Sequence, residues 1–235
     1  MDVIKKLQFK VMATIMICLL GWGFHSCLDE KVDSYSRLTI GTIKVIEAND
    51  YYFALDDGST MYPGDTTNIH NYTPVTGQRA ILYFDLLDEK VPGYDYNALV
   101  YRIEDILTKD IYFMPTEKED SIGDDRINLN NAWLSGNYVN MQYQFYYNEE
   151  SGKVHMLNLV VNEANDNMSN EEGYLVLELR HNAYHDEQRT PGKGLVSFKL
   201  DNIAREMEGK KGLIIRINTL YDGVQYKKVD FASNK

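Results

Sequence analysis

The apolar residues of the chain form short runs separated by turns, which is the pattern of an all-β protein. Between residues 138 and 146, large side chains alternate with polar ones at every second position, the period of a strand with one buried face. The other runs are rich in β-branched and aromatic residues, which favour strands. The predicted strands cover residues 38–46, 51–55, 61–62, 79–87, 96–106, 109–114, 133–136, 138–146, 154–161, 174–179, 195–200, 213–220 and 224–231. Only residues 202–209 have a helical pattern.

Turn residues and polar runs divide these strands into two domains. Asp56-Asp57-Gly58 stands between two apolar runs and predicts a tight hairpin, because glycine accepts the positive φ that such turns need. Residues 116–126 are almost entirely polar, which predicts a linker. The strands of residues 37–115 suit a small closed barrel, and those of residues 127–235 suit an antiparallel β-sandwich.

The first 26 residues have the features of a secretory signal peptide. Lysines precede an apolar stretch over residues 11–24, which is shorter than the roughly 20 residues that a membrane span needs. Ser26 and Cys27 follow it and resemble a lipobox, so we predict cleavage before Cys27 and a lipid anchor on that cysteine. The alternative is an ordinary signal peptide with a cysteine there by chance.

Residues 27–36 are predicted to be an acidic tether after the lipidated cysteine. Asp29 and Glu30 resemble the export signal of surface lipoproteins in Gram-negative gut anaerobes. This predicts a protein of the outer membrane, displayed on the cell surface. If the two acids are only a solvated spacer, the protein would instead face the periplasm.

Composition excludes several classes of protein. The formal net charge is −11 without a basic cluster, so nucleic acid is not an expected partner. Two cysteines are too few for a disulfide-rich scaffold. Residues 1–26 hold three lysines against one aspartate, so the secreted chain would be more acidic still. The sequence gives no indication of the oligomeric state.

Five segments with the lipobox-like start resemble the NigD-like lipoproteins. They are YYFALDDGSTMYP (51–63), NYTP (71–74), DILTKDI (105–111), DSIGDD (120–125) and ELRHNAYHDE (178–187). The resemblance implies an N-terminal OB-type barrel followed by a C-terminal β-sandwich. It carries no catalytic residues. The family name comes from an association with a bacteriocin locus, which implies immunity as one function.

The polar clusters do not predict catalysis or a cofactor. His181 and His185 would share a face of an extended strand but lie roughly 13 Å apart, too far to bind one metal ion. We expect a hydrogen-bonded strand end there, with Arg180 paired to an acid. The acids of residues 120–125 lack EF-hand spacing, so calcium is the weaker alternative to solvated loop residues. We therefore expect neither an enzyme nor a metal site.

Tyrosine is the residue type that best indicates binding. The chain has 18 tyrosines, and a tyrosine offers a flat apolar ring with a polar tip. Tyr51, Tyr52, Tyr62 and Tyr72 flank the second and third strands, on the face that OB barrels use for ligands. We predict that these four form a ligand-binding cluster. The alternative is that they only fill strand positions.

Two short motifs predict modification, and the features together predict a binding protein. Thr66 and Ser121 each follow an aspartate in a predicted loop and resemble bacterial O-glycosylation acceptors. We expect a non-catalytic envelope lipoprotein that binds a glycan or an envelope protein. The alternative is a bacteriocin-immunity-type protein that sequesters a peptide toxin.

Overall fold

A computed structural model describes residues 37–48, 50–164 and 173–231. All of them lie within one compact unit, Tyr35–Lys235. The predictions for Cys27, Asp29, Glu30 and the tether fall outside the described residues. Within those residues, none of the helices has the length and apolar character needed to cross a membrane.

Thirteen strands make up most of the described chain. They are β1 (Arg37–Glu47), β2 (Asp50–Leu55), β3 (Thr60–Asp65), β4 (Arg79–Leu86), β5 (Tyr96–Asp110), β6 (Tyr112–Met114), β7 (Asn128–Ser135), β8 (Tyr138–Tyr147), β9 (Met156–Asn162), β10 (Leu175–Asn182), β11 (Thr190–Lys199), β12 (Gly212–Thr219) and β13 (Gly223–Asp230). The short helix α1 spans Glu119–Ile122, and 3₁₀ helices span Thr116–Lys118, Glu149–Ser151 and Asp201–Ile203.

The first five strands close into a barrel. Their order is β3-β2-β1-β4-β5, and β3 also pairs with β5 in parallel, which joins the two ends of the sheet. Closure removes the free edges and leaves one interior. Its apolar core includes Ile43, Phe53, Met61, Leu82 and Val100, which are all fully buried.

The remaining strands form two packed sheets. One continues from β5 in the order β5-β11-β8-β7, and the other has the order β13-β12-β10-β9-β6. The predicted all-β class, with a barrel followed by a sandwich, is confirmed. The pairing is not purely antiparallel, because β5–β11, β6–β9 and β10–β12 are parallel. Strand periodicity reports which face is buried and not the direction of a neighbour.

Residues 116–126, predicted as a linker, lie against the sandwich. Arg216 on β12 donates two hydrogen bonds of 2.9 and 2.8 Å to the carboxylate of Asp124. The carboxylate of Asp125 accepts a 2.8 Å hydrogen bond from the backbone N–H of Ala183. The acids of this run therefore pair with groups of the sandwich. Strand β6, predicted with the barrel, also belongs to a sandwich sheet.

The helix predicted over residues 202–209 is wrong. The structure has a 3₁₀ helix at Asp201–Ile203 followed by turns. Ile203 is the one buried residue of that 3₁₀ helix. A segment this short gains little from helical hydrogen bonds alone, so the packing of Ile203 determines its backbone.

A buried arginine joins the barrel to the sandwich. Arg79 on β4 is 1% exposed and donates two hydrogen bonds of 2.5 and 2.8 Å to Asp56 of the barrel. It also donates to Ser135 and Asn140 of the sandwich, each at 3.1 Å. Its guanidinium lies 4.9 Å from the centre of the Tyr138 ring. A charge this deeply buried requires such partners.

Candidate functional site

The four tyrosines predicted to form one cluster face two directions. Successive side chains of a strand point to opposite faces, so Tyr51 faces the barrel core and is 8% exposed. Tyr72 packs against the same core, and its hydroxyl donates a 2.7 Å hydrogen bond to Asp105. Burial and the Asp105 carboxylate raise the pKa of Tyr72 well above its usual range. Tyr51 and Tyr72 therefore contribute to barrel packing.

Tyr52 and Tyr62 instead join Tyr94, which the sequence reasoning missed. The ring centroids of Tyr52 and Tyr94 are 5.4 Å apart, and those of Tyr94 and Tyr62 are 5.1 Å apart. The Tyr62 hydroxyl donates a 3.2 Å hydrogen bond to Asp50. We call Tyr52, Tyr94 and Tyr62 the tyrosine platform. All three side chains are partly exposed.

Tyr94 lies in a turn before β5, where no strand period predicts its direction. The same side chain lines a groove of about 260 Å³ beside the platform. Asp95 and Asn97 supply polar groups to this groove. The Asp95 carboxylate accepts hydrogen bonds from the backbone N–H and hydroxyl of Thr60, which lower its pKa. Asp95 therefore stays ionised, and its hydrogen bonds to Thr60 fix the position of this carboxylate beside the groove.

The two predicted acceptor residues differ in their surroundings. Thr66 directly follows β3 in a loop and is partly exposed. Ser121 is exposed but lies on α1, where its hydroxyl donates a 2.9 Å hydrogen bond to the carbonyl of Lys118. Modification at either residue stays a prediction.

A chain of hydrogen bonds links three titratable side chains in the sandwich. His155 Nδ1 lies 3.0 Å from His181 Nε2, and His155 Nε2 lies 3.1 Å from the carboxylate of Asp186. His181 Nδ1 lies 3.2 Å from the carbonyl oxygen of Arg126. The side chains of His155 and Asp186 are 7% and 2% exposed. The sequence singled out His181 and His185 but not His155, which lies 26 residues before His181.

Both ends of this chain are hydrogen-bond acceptors, the carboxylate of Asp186 at one end and the carbonyl oxygen of Arg126 at the other. Each neutral imidazole supplies one N–H donor. Burial and the neighbouring His155 lower the pKa of His181, which favours His181 as the neutral ring. Hydrogen bonds, first from the backbone N–H of Asn148, hold the pKa of Asp186 far below its usual range.

The structure also places the other polar candidates. His185 lies in an exposed turn with a φ of 57°, whereas His181 is 3% exposed. Arg180 pairs with Glu178 and Glu119, as the sequence predicted for that residue. In residues 37–48, 50–164 and 173–231, no group of three His, Cys, Asp or Glu side chains is arranged to hold a metal ion.

The fold and these sites define a two-domain β protein with an OB-type barrel and a β-sandwich. A model of the NigD-like N-terminal OB domain matches residues 40–106, and one of the NigD-like C-terminal β-sandwich domain matches residues 110–231. The chain belongs to the NigD-like family. A search of curated proteins finds no match.

Three solved structures share the fold. One from Parabacteroides distasonis, provisionally described as toxin-related, is 29% identical with a TM-score of 0.69, covering 84% of this chain and 94% of that chain. A NigD-like immunity protein from Bacteroides caccae is 20% identical with a TM-score of 0.62, covering 81% and 91%. A protein from Bacteroides fragilis, provisionally described as a lipoprotein, is 13% identical with a TM-score of 0.60, covering 85% and 100%.

Proposed function

We propose that the protein is a non-catalytic lipoprotein of the outer membrane that binds a glycan through the tyrosine platform. The observation that carries the proposal is the contact of Tyr94 with both Tyr52 and Tyr62 on the outside of the barrel. Three partly exposed rings in contact, with Tyr94 tilted by 52° to Tyr52 and by 34° to Tyr62, form an apolar surface that is wider than a single side chain. Such a surface suits the apolar face of a sugar ring.

The polar groups around the platform suit the hydroxyls of a sugar. Asp50 lies at one end, where it accepts from Tyr62, and the groove with Asp95 and Asn97 lies next to Tyr94. Carboxylate oxygens accept hydrogen bonds from hydroxyl groups. A groove of about 260 Å³ has room for a sugar residue, and the rest of an oligosaccharide would then lie in solvent.

A glycan array tests the platform directly. The protein from residue 27 onward is applied to immobilised bacterial and host oligosaccharides, and each hit is measured by calorimetry. Tyr62→Ala should weaken binding by about fivefold or more, because truncation of an aromatic contact costs at least about 1 kcal/mol. Tyr226→Ala is the matched control, since Tyr226 lies on β13 and is 64% exposed. Weaker glycan binding with Tyr62→Ala but not with Tyr226→Ala supports the platform.

Two results would contradict the glycan proposal. The first is that the wild-type protein binds no glycan on a broad array. Hits that Tyr62→Ala leaves unchanged would be bound elsewhere. An envelope protein recovered by crosslinking through residue 62 would then become the ligand of the platform.

The position on the cell surface rests on the predicted lipobox at Cys27 and on Asp29 and Glu30. Protease shaving of intact cells tests this position with the wild type and the Asp29→Ala/Glu30→Ala variant. We expect cleavage of the wild type and protection of the variant. Protection of both on intact cells, with cleavage after lysis, would place the protein in the periplasm and make an envelope-assembly partner the target of the search.

Immunity against a peptide toxin is the second candidate function. The description of the 29% identical structure as toxin-related favours it, together with the net charge of −11, which would attract a cationic peptide. Deletion of the gene should increase sensitivity to the cognate bacteriocin, and the wild-type gene should restore resistance. Unchanged sensitivity would exclude this function. Restored resistance with Tyr62→Ala would separate it from the platform.

A further inference from the structure

The β-sandwich is open along one edge because β5 and β6 pair only with the last residues of their neighbouring strands there. Strand β5 pairs with β11 only along Val196–Lys199, although β11 begins at Thr190. In the other sheet, β6 pairs with β9 only along Val160–Asn162, although β9 begins at Met156. A pocket of about 370 Å³ lies at this edge and is lined by residues of both sheets.

Three aromatic side chains of β8 form one wall of the pocket. The ring centroids of Tyr143 and Phe145 are 5.8 Å apart, and those of Phe145 and Tyr147 are 5.6 Å apart. These rings lie across glycines of β11. A Cβ atom on Gly194 would lie 2.4 Å from the Tyr143 hydroxyl, and one on Gly192 would lie 2.9 Å from Phe145. The glycines therefore provide the space that the rings occupy.

Two imidazole rings complete this aromatic lining. His155 and His181 lie 5.1 and 5.8 Å from Phe145 between ring centroids, in edge-to-face geometry. All four of their ring nitrogens already lie within hydrogen-bond distance of the partners described above. The histidines therefore offer ring surface rather than free nitrogens. This part of the pocket suits a flat apolar body.

Lys153 supplies a positive charge to the same pocket. Its ammonium group donates hydrogen bonds of 2.9 and 3.2 Å to the carbonyl oxygens of Tyr184 and His185. Among the described residues no carboxylate lies within 4.0 Å of this ammonium group, whereas the side chains of Arg79, Arg180, Arg189 and Arg216 all have acidic partners. The net charge of the chain is −11, so most of its surface repels anions. The ammonium group of Lys153, which has no acidic partner in the described part of the chain, would instead attract an anionic ligand to the pocket.

We propose that this pocket binds a small aromatic carboxylate. The flat body would lie among the rings of Tyr143, Phe145 and the two histidines, and the carboxylate would pair with Lys153. The volume of about 370 Å³ falls in the range of small-molecule sites. The pocket lies in the sandwich and shares no residue with the tyrosine platform, so this proposal is independent of the glycan proposal.

Two probes of similar size separate the contribution of the carboxylate to binding from that of the aromatic rings. 2-Naphthoate carries a carboxylate, and 2-naphthalenemethanol has a neutral hydroxymethyl group in its place. Calorimetry with the protein from residue 27 onward should show that naphthoate binds roughly fivefold more tightly than the alcohol, the size of a partly exposed ion pair. Lys153→Gln should remove this difference without changing the affinity for the alcohol. Lys153→Arg should keep it.

Matched variants locate the bound probe and guard against misfolding. Lys193→Gln makes the same charge change at an exposed position of β11 and should leave both affinities unchanged. Leu107→Trp places a larger ring at the rim of the pocket, where Leu107 is 48% exposed, and should weaken both probes at least tenfold. Tyr62→Ala should have no effect, which separates this site from the platform.

Three results would overturn the proposal. The absence of binding by either probe at millimolar concentration would show that the pocket does not take aromatic ligands. Equal affinities for the two probes, with no effect of Lys153→Gln, would exclude the carboxylate class. Binding that Leu107→Trp leaves unchanged would place the probes at another site.

Discussion

The barrel and the sandwich use aromatic side chains in opposite ways. In the barrel, Tyr52, Tyr62 and Tyr94 contact one another on the outer surface. In the sandwich, Tyr143 and Phe145 turn inward and line a pocket between the sheets. The two regions share strand β5 and lie in one compact unit. The difference therefore arises from how each sheet is completed.

Closure accounts for this difference. A five-stranded barrel pairs every strand on both sides and has no room inside beyond its own core, so extra rings must lie outside. The sandwich lacks a full partner along β9 and β11, and the gap admits rings and leaves a cavity. Rings on the closed barrel lie on its outer surface, whereas rings at the incomplete edge line a pocket.

The largest predicted effect concerns the arginine that joins the two regions. Arg79→Leu should reduce the free energy of unfolding by about 3–5 kcal/mol, because Asp56 would lose its partner in a largely buried setting. Chemical denaturation monitored by tyrosine fluorescence measures the change. Arg189→Ala is the control, since Arg189 is 54% exposed and its two acidic partners are also exposed. This substitution should cost less than about 1 kcal/mol. Equal costs for the two variants would contradict the assigned role of Arg79.

A second variant tests whether glycine makes room for the pocket wall. Gly194→Ala should cost about 1–3 kcal/mol, because the new Cβ would lie 2.4 Å from the Tyr143 hydroxyl. Tyr143→Leu removes the hydroxyl and most of the ring, so the double variant should cost less than the sum of the two single changes. Denaturation of all four proteins gives this coupling. Additive costs would show that the ring does not need the glycine.

The histidine chain makes the stability of the sandwich depend on pH. The folded pKa of His181 lies below its unfolded value of about 6.5. As the pH drops below that value, the unfolded chain takes up the proton before the folded chain does, so the free energy of unfolding falls. The contribution of His181 to stability is therefore fully present above about pH 6.5. Because His181→Gln removes this group, its stability profile should be flatter between pH 5 and 7 than that of the wild type.

The exposed His70 provides the control for the pH experiment. His70→Gln should keep the slope of the wild type, because this residue lies in a barrel loop and takes no part in the chain. The contribution of Asp186 is separate, since its lowered pKa adds stability above about pH 4 that is lost only in more acidic solution. A wild-type profile without a slope between pH 5 and 7 would argue against the buried neutral His181.

The smallest predicted effect is at the core-facing tyrosine of the barrel. Tyr72→Phe removes a single hydrogen bond, and the exposed Asp105 can bind water instead, so the cost should be about 1 kcal/mol or less. Glycan affinity should not change, since Tyr72 is not part of the platform. Thermal unfolding and the glycan assay measure the two quantities. A loss of glycan affinity would return Tyr72 to the ligand-binding residues.

The sequence predicted the strands and the two-domain order because both follow from local patterns. The alternation over residues 138–146 appears as β8, and the apolar run over 213–220 appears mainly as β12. The polar run 116–126 was predicted to be a linker, and its acids have partners, such as Arg216, that are distant in the sequence. Polarity alone does not distinguish a solvated acid from a paired one.

The candidate sites were only partly predictable, because they depend on contacts between distant segments. Tyr52 and Tyr62 were recognised from their strands, but Tyr94 joins them from a turn. His155 meets His181 only through the pairing of β9 with β10. Strand alternation could have separated Tyr51 from Tyr52, since neighbouring residues of a strand face opposite sides.

Strand β5 has a consequence for how the molecule unfolds. Its first part closes the barrel with β3 and β4, and its last four residues form a sheet edge with β11. Withdrawal of this strand would break the hydrogen-bond ladders of both regions at once. The two domains should therefore melt in a single cooperative transition, and their slowest-exchanging amide protons should be lost at the same rate.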